Sequence, residues 1–123
     1  MALLREYKEI AYQWGIWKTE ESPEELLALL PDPERYEQQL TLFSSPHRKL
    51  EWLSVRVLLY QLLGEEKTIE YAPSGKPHLA DSSYFISISH TRGYVAVILS
   101  AVAEVGIDIE QYGQRVHKVA HKY

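Results

Sequence analysis

Hydrophobic positions near the start of the chain recur every second residue. Ile10, Tyr12, Trp14 and Ile16 interleave with Ala11, Gln13, Gly15 and Trp17, a period that predicts a strand. Ser22-Pro23-Glu24-Glu25 comes next. Ser22 suits an N-cap, Pro23 the first helical position, and Glu25 closes a capping box. The helix that starts there carries Leu26, Leu27, Leu29 and Leu30 and stops near Pro31, and residues 33–42 offer a weaker second helical piece. From Ser45-Pro46 to Leu63 the period lengthens. Leu50, Leu53, Val57 and Tyr60 fall on one helical face, and Trp52, Leu59, Leu62 and Leu63 widen it. Gly64 follows as the C-cap residue.

The remaining chain predicts short strands at 68–72, 84–89, 94–100 and 105–110, separated by turn signals at Ser74-Gly75-Lys76-Pro77 and Thr91-Arg92-Gly93. Residues 114–123 read as a helix. Helices early and strands late predict an α+β domain, with helices packed on a mainly antiparallel sheet.

Composition narrows the function classes. At 123 residues the chain has the length of about one domain. Three Trp and nine Tyr supply enough buriable area to argue against disorder. Thirteen basic against 17 acidic residues, a net charge of −4, give no footprint for nucleic acid, so none is expected as a partner. Cysteine is absent, which excludes disulfides and thiolate metal sites. Residues 1–9 carry charges where a signal peptide needs an apolar run, and no stretch reaches the ~18 apolar residues of a membrane span. No membrane partner and a cytoplasmic location are therefore expected.

Four segments carry candidate chemistry. In Val105-Gly106-Ile107-Asp108-Ile109-Glu110, strand alternation directs Ile107 and Ile109 inward and Asp108 and Glu110 together to the other face. Adjacent carboxylates repel unless a cation lies between them, so an oxygen-ligand Mg²⁺ site accounts for the pair. On spacing alone, a solvated strand face is the commoner outcome. In Ser87-Ile88-Ser89-His90-Thr91, hydroxyls and an imidazole at a strand end suit phosphate oxygens, although such residues more often satisfy hairpin backbone groups. Gly75-Lys76-Pro77 places a cation on a tight turn, which by itself is an ordinary loop. Arg48 and Arg56 lie eight apart on the long helix, and each taken alone reads as a surface residue pairing with a carboxylate such as Glu51.

The order of these segments is more specific than any one of them. Arg48…Glu51-Trp52-Leu53-Ser54-Val55-Arg56, then Gly75-Lys76-Pro77, Ile88-Ser89-His90-Thr91 and Gly106-Ile107-Asp108-Ile109-Glu110 resemble the 4'-phosphopantetheinyl transferase superfamily. The likeness is to the longer, pseudodimeric type that activates peptide and polyketide synthetases, and it runs from about Arg48 onward. It implies a Mg²⁺-dependent enzyme that moves phosphopantetheine from coenzyme A to a serine of an apo-acyl or peptidyl carrier protein, releasing 3',5'-ADP. Asp108 and Glu110 match the family's metal-binding, catalytic acids. Lys76, Ser89 and His90 match positions that contact coenzyme A phosphates, with His90 at the 3'-phosphate. Arg48 matches a basic position near the nucleotide. Residues 1–104 then correspond to an N-terminal subdomain, and 105–123 to the opening strand and helix of a truncated second one. The family's Trp/Phe-x-x-Lys-Glu motif, whose Glu completes the metal site, has no counterpart in this sequence. The expectation is therefore an incomplete enzyme, whose self-association would not supply the missing acid. Two other readings stand beside it: a non-catalytic fragment that binds coenzyme A or a carrier protein, and a structural interaction domain with a solvated Asp108/Glu110 face.

Overall fold

The computed structural model describes residues 3–8, 12–102, 104–112 and 115–122, with side chains at Glu6, 12–102 and 104–107. Strands β1 (Leu3–Lys8) and β2 (Tyr12–Lys18) lead into helices α1 (Pro23–Ala28), α2 (Glu34–Leu40) and α3 (Pro46–Leu63). Then come β3 (Ile69–Tyr71), β4 (Pro77–Leu79), β5 (Phe85–Thr91), β6 (Tyr94–Ser100), β7 (Val105–Tyr112) and β8 (Arg115–Lys122). The main sheet runs β1-β2-β6-β5, while β3-β4 and β7-β8 form two-stranded sheets. Every pairing is antiparallel. The fold is α+β, as the sequence pattern predicts.

The local signals act as their chemistry requires. Ser22 Oγ accepts from the Glu25 amide at 3.2 Å, and Glu25 Oε1 accepts from the Ser22 amide at 3.0 Å, a complete capping box. Ser45 caps α3 by accepting from the Arg48 amide, and Gly64 closes the helix at φ 72°. Only a residue without Cβ adopts that left-handed geometry cheaply.

Strand β6 explains how the layers meet. Val95, Val97 and Leu99 face one side with Trp17, Ile86 and the α3 residues Leu53, Val57, Leu58 and Leu59. Ala96 and Ile98 face the other, against Ile16 and Ile107 of β7. A strand covered on both faces has no polar side to present, which is why Tyr94–Ser100 is apolar almost without interruption. Burial of Ile107, 2 % exposed, agrees with the inward face expected for it. The Ile109 side chain lies outside the described residues.

Three elements differ from expectation, among them the short strand β4, whose first residue, Pro77, the sequence pattern assigns to a turn. Over 114–123, which read as a helix, residues 115–122 form strand β8, with Tyr112 opposite Arg115 and Val105 opposite Lys122. Gln114 and Tyr123 lie outside the described residues. A nine- or ten-residue helix is marginal on its own, whereas β7 offers this segment a full hydrogen-bonding ladder. Strand β1 is the third difference. Its register shifts between Leu3 and Arg5, and a bulge of that kind breaks the period of two by which a strand is recognised.

Candidate functional site

The predicted ligand residues fall into two groups on either side of β5. Thr91 pairs with Tyr94 and His90 with Val95, so the strand continues through His90 and only Arg92-Gly93 form the turn. The expectation that His90 sits at the strand's exit is corrected accordingly: the strand spans Phe85–Thr91. Alternation then separates neighbours. Ile86 and Ile88 pack toward α3, and His90 shares their face. Ser87 and Ser89 take the opposite face, where Ser87 Oγ accepts from the Ile107 amide at 3.4 Å.

Along the outer edge of β5 lies a cleft of about 700 Å³, bordered by Lys76, Leu79, Tyr84, Glu104 and Val105 and by both faces of the strand, Ile86 and Ile88 as well as Ser87. The β3–β4 hairpin delivers Lys76 to it. The Gly75 amide donates to the Ala72 carbonyl at 2.8 Å, and the Ala72 amide to the Lys76 carbonyl at 2.9 Å. Gly75 takes φ 89°, the left-handed residue that a three-residue hairpin loop requires. Lys76 Nζ meets Glu104 at 2.6 Å, with the two side chains 61 % and 52 % exposed. The cleft therefore reaches the first residue of β7, the strand that carries Asp108 and Glu110.

On the α3 side, His90 Nδ1 lies 3.6 Å from Glu51 Oε2, and Glu51 Oε1 lies 2.8 Å from His47 Nε2. Arg48, beside His47 in the first turn of α3, is exposed. Below this cluster a smaller depression of about 240 Å³ is bordered by Thr19, His47, Glu51 and Gly93. His47 and Glu51 were not singled out as a pair by sequence reasoning. The available signal was their i,i+4 spacing on α3, which stacks side chains on one face.

Arg56 corrects the surface role expected of it. It is 6 % exposed, with its guanidinium 4.0 Å above the Trp52 ring. It donates to the Trp52 carbonyl at 3.3 Å and to the Tyr71 phenol oxygen at 3.4 Å. Burial lowers its pKa from the ordinary value, and Tyr71 partly opposes that shift. The i,i+4 spacing of Trp52 and Arg56 supplies a stacked aromatic face for the buried cation.

Strand β7 runs through both metal-ligand candidates, with Asp108 opposite Val119 and Glu110 opposite His117. Their side chains lie outside the described residues. Among the described residues no group of three His, Asp or Glu side chains is placed to hold a metal ion. No described helix is long and apolar enough to cross a membrane.

No protein-family model matches the chain. Over 64 residues it is 38 % identical to proteins named 4'-phosphopantetheinyl transferase AcpT from Salmonella typhi, Salmonella typhimurium and Escherichia coli K12. The matched stretch covers 51 % of this chain and 33 % of each relative, so the likeness spans about a third of the relatives' length. It supports the resemblance to the phosphopantetheinyl transferase superfamily drawn from the motifs.

Proposed function

Taking that likeness as the premise, we propose that the chain serves 4'-phosphopantetheinyl transfer from coenzyme A to a serine of an apo-carrier protein, in the cytoplasm. The supporting observation is the cleft that joins Lys76 and Ser87 to the start of β7. In this reading Lys76 is a point charge for a coenzyme A phosphate, and Ser89 shares the sheet face of Ser87. His90, with Arg48 on the neighbouring helix, takes the 3'-phosphate. Asp108 and Glu110 hold Mg²⁺; their hard oxygen donors suit that ion, and two carboxylates two apart on a strand share one face. When bound, the metal supplies charge neutralisation at the diphosphate and polarises the phosphoryl group. The chain's own residues bind and orient the ligand, with Asp108 and Glu110 carried by the strand whose first residue, Val105, borders the cleft. Residues 1–104 act as the nucleotide-side subdomain, and 105–123 open a second one.

Coenzyme A titrated calorimetrically with and without Mg²⁺ tests the binding half of this reading. Tighter binding with Mg²⁺ is expected, and affinity indifferent to the metal would refute it. Mass spectrometry of an apo-carrier protein incubated with coenzyme A and Mg²⁺ tests transfer. Residues 1–123 lack the Trp/Phe-x-x-Lys-Glu acid, so little modification is expected from this chain alone. Losing a charged metal ligand removes on the order of 4 kcal/mol, about a thousandfold in rate. Rapid modification would show that acid to be dispensable.

A further inference from the structure

The cluster of His47, Glu51 and His90 is used only in part by the function proposed above. Glu51 spans the two imidazoles with its two oxygens, at 2.8 Å from His47 Nε2 and 3.6 Å from His90 Nδ1. Its side chain is 24 % exposed, against 61 % for His47 and 59 % for His90. The carboxylate is thus the less accessible, better-fixed member, and the two rings are its solvent-facing partners.

We propose that Glu51 is an internal competitor of the phosphate group that takes His90, and that His47 retains Glu51 when that phosphate arrives. The inference rests on His90 as a phosphate contact, and it names two further residues that set the strength of that contact. A carboxylate and a phosphate compete for the same imidazole, which Glu51 approaches at ion-pair distance, 3.6 Å, without a hydrogen bond. Glu51 brings one negative charge, and a phosphodiester brings no more. A phosphate monoester carries roughly −1.5 to −2 at neutral pH, so it alone gains charge–charge attraction by the exchange. His47 lowers the cost of the exchange, because a displaced Glu51 keeps its 2.8 Å ion-pair contact with His47. Glu51 is therefore the threshold that a phosphate monoester must overcome at His90. Lys76 is paired with Glu104 in the same manner. That pair is more exposed, and exposed pairs contribute little, so Glu51 carries the larger effect.

The test titrates coenzyme A and dephospho-coenzyme A, which differ only in the 3'-phosphate monoester, into five proteins. These are the wild-type chain, His90→Ala, Glu51→Gln, His47→Ala and the double variant Glu51→Gln/His47→Ala, each checked for folding by thermal melting. Glu51→Gln is expected to bind coenzyme A about 2- to 5-fold more tightly, the size of one partly exposed pairing, and to leave dephospho-coenzyme A unchanged. His47→Ala is expected to weaken coenzyme A binding about 2- to 5-fold, and that loss should vanish in the Glu51→Gln background. If His90→Ala weakens coenzyme A binding but Glu51→Gln leaves it unchanged, the competitor role is overturned and the phosphate contact survives. Equal tightening of both ligands by Glu51→Gln overturns the competition with the 3'-phosphate. A His47→Ala loss that persists without Glu51 overturns the handover and makes His47 a direct contact. If His90→Ala changes nothing, the contact at His90 and the inference both fall.

Discussion

Ile107 is the residue that docks β7, and with it the Asp108 and Glu110 backbone, onto the main sheet. It is 2 % exposed and packs with Ile16, Ala96 and Ile98, while its amide donates to Ser87 Oγ. Ile107→Ala removes three carbons from this contact. At about 0.8 kcal/mol for each buried methylene the transfer loss is ~2.4 kcal/mol, and a residual cavity adds to it. The cluster is small and lies beside a cleft, so the surroundings can partly collapse and the total should stay near 3 kcal/mol. Ile107→Val removes one carbon and should cost about 1 kcal/mol. For a chain of this length, 1 kcal/mol corresponds to roughly 4 °C in Tm. Thermal melts followed by circular dichroism should therefore show the alanine variant about 12 °C below wild type, with valine between them. Urea titration of the same set checks that the slope is unchanged, so that the shift reports stability and not altered compactness. If docking of β7 is what presents the acids, the alanine variant should also lose the Mg²⁺-dependent part of coenzyme A binding at a temperature where it remains folded. An alanine variant melting within about 1 °C of wild type would refute the docking role.

Arg56→Ala strips the stacked guanidinium from Trp52 and removes its hydrogen bonds to the Trp52 carbonyl and the Tyr71 phenol. It should cost about 3 kcal/mol, read by urea titration, with a red shift of tryptophan emission. Lys67 and the Ser83 hydroxyl and amide hold the Asp81 carboxyl well below the usual carboxylate range. Its folded value is depressed, so its stabilisation is present above the unfolded value of about 3.9 and is lost as pH falls through the folded one. The Tm difference between wild type and Asp81→Asn should be constant from about pH 5 to 8 and shrink below about pH 4. Asp108→Ala should leave the melting curve within about 2 °C of wild type while abolishing any Mg²⁺ effect on coenzyme A binding. Retention of that effect, measured calorimetrically, would remove Asp108 from the proposed metal site.

The elements legible from sequence are those whose partners lie nearby in the chain. The capping box of Ser22 and Glu25, the Ser45 cap, the Gly64 stop and the Gly75 turn all close hydrogen bonds within a few residues. Their residue types therefore dictate their geometry wherever the rest of the chain goes. The candidate ligand residues were legible as ordered motifs for the same reason, since Lys76 and His90 each belong to a local turn or strand. Sequence pattern could not decide which sheet face each would take, because the extent of β5 depends on its pairing with β6. One strand register separates Ser89 from His90 and brings His90 to Glu51, 39 positions away in the chain. Residues 115–122 became a strand for a similar reason: β7 offered a ladder that outweighed a weak helical pattern. Arg56 reads as a surface cation until α3 is enclosed by the main sheet, α1 and the β3–β4 hairpin. Burial and strand pairing are cooperative properties of contacts far apart in sequence, and only the folded chain fixes them.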